Sequence, residues 1–151
     1  MHRKSYSEEV RLMLIGTYEH NMDDKNRTFI PSKMRDELGD RFIIAKGIDN
    51  CLSMYSLSEW SKFLSKFENF PAAKVRNLKL YFCGGAAEVK PDSQGRVVIP
   101  QKLKEHAGLT KSLVILGAQE HAEIWDSNKW NERYSAISSE DVYDIMNEIN
   151  F

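Results

Sequence analysis

The sequence predicts an α+β fold, mainly β, built from two tandem copies of one small hairpin module with flanking helices. Residues 23–33 return as residues 92–102, and short apolar stretches alternate with turn residues in both copies. The hydrophobic content of 42% is typical of a folded domain and too high for a disordered chain. With 151 residues, the chain has room for one domain or for two small subdomains that share a core.

The repeat is specific because identical residues return at a constant spacing. At an offset of 69 positions, the first copy is matched by the second at Asp23/Asp92, Arg27/Arg96, Ile30/Ile99, Pro31/Pro100, Lys33/Lys102 and Gly39/Gly108. After one inserted residue, Gly47 pairs with Gly117 and Trp60 with Trp130. A single copy is too small to bury its apolar faces well. We therefore expect the two copies to intertwine around a shared core.

Each copy begins with a strand, a tight turn at residues 23–27 or 92–96, and a return strand that we expect to complete a hairpin. Asn26 and Gly95 occupy equivalent turn positions, and these residue types best tolerate a positive φ. Pro31 and Pro100 then begin short helices over residues 32–38 and 101–107, which Gly39 and Gly108 end.

Two strands and a longer helix complete each copy. We place the strands at residues 42–46, 51–55, 113–117 and 122–125. Ser56 and Glu59 form a capping box that opens a helix through about Phe67, and Asp126 caps its counterpart. On this helix, an apolar stripe at helical spacing is predicted to face the core: Trp60, Phe63, Leu64 and Phe67.

The chain therefore divides into five segments. They are an N-terminal extension (1–12), module 1 (13–70), a connecting helix (71–83), module 2 (84–130) and an acidic, partly helical tail (131–151). The tail has an apolar stripe of Val142, Ile145, Met146 and Ile149. Such a stripe packs more often on its own core than on a partner subunit, and both interpretations stay open.

Composition and motifs exclude several function classes. No apolar run approaches the roughly 20 residues that span a bilayer, so we expect a cytoplasmic protein with no membrane partner. Neither Cys51 and Cys83 nor the four histidines show zinc-ligand spacing. We interpret both cysteines as reduced, semi-buried strand residues, with a disulfide as the alternative. Gly84-Gly85 lacks the phosphate-loop lysine and precedes a predicted strand. We expect no enzyme, catalytic residue, metal, cofactor or small-molecule substrate.

The net charge of −1 permits nucleic-acid binding without predicting it. Residues 13–130 hold 17 basic and 15 acidic side chains, whereas residues 131–151 hold one basic and five acidic. A weakly basic body with an acidic tail can bind DNA if its cations share one face.

The doubled Asp-x-x-x-Arg turn, the Ile-Pro after each turn, Gly16-Thr17-Tyr18-Glu19-His20 and Glu123-Ile124-Trp125-Asp126 resemble the MraZ family of bacterial regulators, over residues 13–130. The resemblance implies an AbrB/SpoVT-type fold of swapped hairpins, in which the two halves form an intramolecular pseudo-dimer. It also implies ring-like homo-oligomers on the nucleoid that bind tandem short repeats of double-stranded promoter DNA, usually upstream of the division and cell-wall genes. Asn26 departs from the family, which usually has glycine there.

The turns supply the candidate site. Arg27 and Arg96 are our first choices for DNA contact, because a guanidinium can face a guanine edge or a phosphate. The supporting cations are Lys25, Lys33, Arg35, Lys102 and Lys104. Asp23 and Asp92, with Asn26 and Gly95, are expected to organise the turns. The alternatives are turn-stabilising salt bridges for the Asp–Arg pairs and a solvated face for the lysines. His20 is expected to be a strand histidine, with DNA contact as its alternative.

The sequence thus predicts a sequence-specific DNA-binding regulator, and a repressor in particular. The alternative is a ring-forming interaction protein without specific DNA binding.

Overall fold

The computed structural model describes residues 13–150, so the predicted extension at residues 1–12 lies outside the described part. The strands are β1 (Thr17–Asn21), β2 (Arg27–Phe29), β3 (Phe42–Lys46), β4 (Leu52–Ser56), β5 (Ala87–Val89), β6 (Arg96–Val98), β7 (Ser112–Gly117) and β8 (Ala122–Asp126). The helices are α1 (Ser32–Leu38), α2 (Leu57–Ser65), α3 (Ala72–Gly85), α4 (Gln101–Ala107), α5 (Ser127–Ser135) and α6 (Ser139–Glu148). The fold is α+β, as predicted.

The two copies exchange strands. Six strands form one antiparallel sheet in the order β1-β7-β8-β4-β3-β5, and β2 and β6 form a separate two-stranded ribbon. The first strand of copy 1, β1, pairs with β7 of copy 2, and its counterpart β5 pairs with β3 of copy 1. Each copy therefore completes the other, and the predicted duplicated, swapped-hairpin architecture is confirmed.

The prediction that each return strand pairs with the strand before its own turn is wrong. Backbone hydrogen bonds close the first turn. However, β1, which precedes this turn, pairs with β7, and β2, which follows it, pairs with β6. Pairing across the copies buries Thr28 and Val97, which stand opposite each other beneath the ribbon. A tight turn fixes local backbone geometry and leaves the strand partner to tertiary packing.

A single core unites the copies, as expected from their size. Equivalent residues of the two copies are buried in this core: Ile30 and Ile99, Met34 and Leu103, Leu38 and Ala107. Each large apolar side chain buried here contributes about 1.5–3 kcal/mol relative to an exposed one.

The predicted helix ends are observed. Pro31 and Pro100 precede α1 and α4, and Gly39 and Gly108 follow them with φ of 94° and 59°. Ser56 accepts a hydrogen bond from the Glu59 N–H (3.2 Å) and caps α2. Asp126 caps α5 through the Asn128 N–H (3.2 Å).

Three predictions need correction, and they concern the α2 stripe, the two cysteines and the end of the connecting helix. The α2 stripe is half-buried, because it packs on Tyr55 and Phe82 at the edge of the fold and stays outside the main core. Cys51 is buried and precedes β4, whereas Cys83 is exposed on α3. The two are not paired. The connecting helix, predicted to end at residue 83, continues through Gly84 and Gly85, and the backbone becomes extended at Ala86.

The favoured interpretation of the tail is also wrong. The stripe Val142, Ile145, Met146 and Ile149 lies on α6 and its end, yet all four side chains are exposed. Every residue from position 131 to 150 is exposed. Within residues 13–150, no helix is long and apolar enough to cross a membrane.

Candidate nucleic-acid interface

The β2–β6 ribbon brings the two predicted arginines onto one face. Arg27 stands opposite Val98, and Phe29 stands opposite Arg96. Because cross-strand partners point to the same side, all four side chains share the outer face. The arginines are diagonal neighbours, whose Cα atoms lie about 7–8 Å apart in such ribbons. Residues 69 positions apart in the sequence thus form one continuous surface.

The two turns have the same hydrogen-bond network. In copy 1, Asp23 Oδ1 accepts from the backbone N–H groups of Lys25 and Arg27, both at 2.9 Å, and Oδ2 accepts from Arg27 Nε at 2.8 Å. The apex residue Asn26 has φ of 60° and donates its N–H to the Asp23 carbonyl. This apex geometry fits the expectation for an asparagine in place of glycine.

In copy 2, Asp92 makes the equivalent contacts. Its Oδ1 accepts from the N–H groups of Gln94 and Arg96, and its Oδ2 accepts from Arg96 Nε, all at 2.9 Å. Gly95 takes the apex with φ of 82°. The backbone N–H of Arg27 holds the pKa of Asp23 below its ordinary value, and that of Arg96 does the same for Asp92. Both aspartates are therefore anionic at neutral pH.

These contacts orient each guanidinium and leave part of it available. Among the hydrogen bonds within residues 13–150, Arg27 and Arg96 each donate from a side-chain nitrogen only at Nε. The two terminal nitrogens of each fork can still donate to a guanine edge or a phosphate. The Asp–Arg pairs are thus both turn-stabilising salt bridges and holders of the arginine forks, so the two interpretations of the sequence are compatible.

The helix of each copy covers the turn of the other. Lys104 on α4 donates from Nζ to Asn26 Oδ1 at 3.0 Å, and Gln101 accepts from Asn26 Nδ2 at 3.2 Å. On the other side, the Arg35 guanidinium of α1 lies against Gly95, where a Cβ would be only 2.9 Å away. Lys104, predicted as a DNA contact, therefore also bonds to the opposite turn. Arg35, predicted likewise, packs beside the opposite turn while its Nε donates to the Ile30 carbonyl at 2.9 Å.

The remaining predicted cations, Lys25, Lys33 and Lys102, are exposed. Lys25 has no charged counterpart, because Gln94 occupies the equivalent position of the second turn. Two shallow grooves beside the turns are lined by cations that sequence reasoning missed. Lys111 lines the same groove as Asp23, and Lys90 and Arg41 line the same groove as Asp92. His20 lies on β1 with its ring 6.3 Å from that of Phe29.

Phe29 and Val98 are the site residues that sequence reasoning missed most clearly. Their exposed fractions are 46% and 55%, at the centre of a face that also carries both arginines. The signal was present: Thr28 and Ile30 alternate with Phe29, so a strand that buries the first two must expose the third. An exposed apolar side chain between arginines can contact the methyl group of thymine.

The described residues hold no cluster of three or more His, Cys, Asp or Glu that could bind a metal ion. On β8, Glu123 accepts from Trp125 Nε1 at 2.9 Å and lies 2.9 Å from His121 Nε2.

Comparison with known families assigns the chain. The family described as "MraZ protein, putative antitoxin-like" matches residues 13–80 and again residues 82–147. The chain belongs to the MraZ family. The two matches coincide with the two copies of the repeat, each with one Asp-x-x-x-Arg turn.

Curated relatives of the family align with most of the chain. The chain is 46% identical over 139 residues to "Transcriptional regulator MraZ" of Acetivibrio thermocellus, with 89% of this chain and 96% of the relative aligned. The protein of that name in Thermoanaerobacter pseudethanolicus is 42% identical over 142 residues, covering 91% and 99%. That of Caldicellulosiruptor bescii is 48% identical over 120 residues, covering 78% and 84%.

Proposed function

We propose that this chain is a transcriptional regulator that binds double-stranded DNA through the outer face of the β2–β6 ribbon. The observation that carries the proposal is the ribbon register, which aligns Arg27 and Arg96 on one exposed face with their Nε atoms held by Asp23 and Asp92. The major groove of B-DNA admits a two-stranded β-ribbon. The relatives' printed name supports the regulatory role.

On this proposal, the arginine forks read guanine edges, while Phe29 and Val98 contact thymine methyl groups. The exposed lysines beside the turns neutralise phosphates and supply affinity without sequence information. Arg35 and Lys104 act mainly as positioning residues, since each lies against the turn of the opposite copy.

The operators we propose are short tandem repeats upstream of the division and cell-wall genes, including the regulator's own gene, with repression and nucleoid association as the result. One bidentate arginine–guanine pair discriminates by only about 1–3 kcal/mol, so one ribbon reads DNA weakly. A homo-oligomer, which we propose to be a ring, can gain roughly 10²–10⁴ in avidity on repeated sites. A monomeric variant that kept full promoter affinity would contradict this part.

The test is a fluorescence-anisotropy titration with DNA from upstream of the protein's own gene cluster. Wild type is compared with Arg27→Ala and Arg96→Ala, and with Arg133→Ala as a matched control on α5, where the arginine pairs with Asp49 at 3.4 Å. We expect binding to weaken at least tenfold in each ribbon variant and to hold in the control.

Specificity is measured against a scrambled competitor and across a salt series. Phosphate contacts predict a steep fall in affinity with salt. Equal affinity for scrambled DNA, unchanged in the ribbon variants, would reject the proposal and favour an interaction protein whose basic turns have no specific DNA target.

A further inference from the structure

The helix α6 presents an apolar stripe that the other residues within 13–150 leave exposed. The exposed fractions are 43% for Val142, 56% for Ile145, 38% for Met146 and 64% for Ile149. The helix is well formed, since Ser138 Oγ accepts from the Asp141 N–H at 3.0 Å. An isolated helix of 10 residues is marginal in water, so α6 needs a surface to pack against.

The charges of α6 define the surface it fits. It carries four carboxylates, on Glu140, Asp141, Asp144 and Glu148, and no basic residue. Asp141 and Glu148 lie beside the stripe, while Glu140 and Asp144 lie on the opposite face, given 100° per residue. Two α6 helices packed together would oppose like charges, so a cationic apolar surface is favoured.

The helix α3 has this complementary character. It carries Lys74, Arg76 and Lys79 and no acidic residue. Its inner face buries Val75 and Phe82 and packs on β3. Its outer face exposes Leu80 (55%) and Tyr81 (39%). At Gly84, on the same outer face, a Cβ would meet no atom within 4 Å, which leaves room for close approach of another helix.

We propose that α6 of one chain docks along the outer face of α3 of a second copy of this chain. The stripe covers Leu80 and Tyr81, and the flank of α6 that carries Asp141 and Glu148 faces the flank of α3 that carries Lys74. Arg76, on the other flank of α3, adds to the positive charge of the same surface. The two surfaces differ and every chain has one of each, so the chains associate head to tail. Such an assembly closes into a ring when the rotation from one subunit to the next adds up to a full turn. The inference rests on the homo-oligomer of the proposed function and names its contact.

Charge reversal with complementation tests the pairing. Variant A is Asp141→Lys with Glu148→Lys, and variant B is Lys74→Glu with Arg76→Glu. Each alone places like charges across the contact, and we expect about a tenfold or greater loss in association constant by light scattering with size-exclusion chromatography. A mixture of A and B restores opposite charges at every contact, so we expect wild-type molar mass to return only in the mixture.

The matched control is Glu140→Lys with Asp144→Lys, which reverses the same number of charges on the far face of α6 and should leave assembly intact. Circular dichroism confirms that each variant is folded. A monomeric wild type, variants A and B that assemble like wild type, loss of assembly in A but not in B, or a mixture that fails to reassemble would each overturn the proposal.

DNA binding distinguishes this failure from failure of the proposed function. A probe with a single repeat requires one ribbon and no neighbour, so variants A and B should bind it like wild type. They should lose affinity only for a probe with tandem repeats. Loss of single-repeat binding in Arg27→Ala with normal assembly would separate the two surfaces fully.

Discussion

The two turns share one geometry and are built from different residues. In copy 1, the apex is Asn26, whose side chain accepts from Lys104. In copy 2, the apex is Gly95, and the larger Arg35 guanidinium occupies the space where a side chain would stand. The backbone N–H groups donate to Asp23 and Asp92 at 2.9 Å in both turns, and the arginine Nε bonds, at 2.8 Å and 2.9 Å, differ by only 0.1 Å.

The apex residue and the cation of the opposite helix therefore form a matched pair. A small apex leaves room for a broad planar cation, whereas an apex with a side chain requires a slimmer cation that bonds to it. The side chain of Asn26, where copy 2 has Gly95, is thus accommodated by Lys104 from the other half of the chain, 78 positions away.

The largest expected effect comes from adding a side chain at the glycine apex. Gly95→Ala forces an L-residue to φ of 82° and places its Cβ 2.9 Å from the Arg35 guanidinium. We expect a loss of about 1–3 kcal/mol in the free energy of unfolding, measured in urea. Asn26→Ala is the comparison and should cost less, because that turn already accommodates a side chain. An equal loss in both variants would contradict the matched-pair interpretation.

Transplanting the copy-1 pair into copy 2 tests whether the apex residue and the cation are coupled. Gly95→Asn alone should destabilise the chain by about 1 kcal/mol, since asparagine tolerates the backbone but displaces Arg35. Adding Arg35→Lys should recover most of that loss by recreating the Asn26–Lys104 contact. A double-mutant cycle in urea measures the coupling. Strictly additive effects would show that the apex and the cation act independently.

Acid should weaken the two turns alike. The pKa of Asp23 and that of Asp92 are lowered in the folded chain, so their contribution to stability is complete above the ordinary value of 3.8 and is lost as pH falls below it. We expect Asp23→Asn and Asp92→Asn each to flatten the fall in unfolding temperature between about pH 4 and 2. If only one variant flattened the fall in unfolding temperature, the two aspartates would contribute unequally to stability, contrary to this prediction.

The smallest effects are expected at the equivalent exposed lysines. Lys33→Ala and Lys102→Ala each remove at most one phosphate contact, so affinity should fall equally for operator and scrambled DNA. The slope of log affinity against log salt should decrease by about 1. Anisotropy titrations at four salt concentrations measure this slope. A sequence-dependent loss at either lysine would assign it a base contact instead.

Much of the local structure was predictable because it depends on neighbours in the chain. Helices α1 and α4 begin and end at the predicted residues, since Pro31, Gly39, Pro100 and Gly108 act within a few positions. The same holds for the positive φ of Asn26 and Gly95. The candidate arginines were found because each turn is short and repeated.

Strand partners and surface placement were not predictable in this way. The local pattern of Thr28 and Phe29 suits a hairpin with either neighbour, so the choice of β6 over β1 required the whole core. The apolar stripe of α6 likewise has the same helical spacing whether it faces its own sheet or, as observed, solvent. Nor could spacing alone indicate that Arg35 would lie on Gly95 of the other copy.

The duplication is visible in the amino-acid sequence as a constant spacing of identical residues. The two Asp-x-x-x-Arg turns and the helix ends are visible there too, because they follow from the backbone preferences of neighbouring residues. The exchange of strands between the copies is visible only in the folded chain, and so is the face shared by Arg27, Phe29, Arg96 and Val98. The physical reason is that strand register and helix docking depend on burying apolar surface between distant segments, which no local pattern specifies.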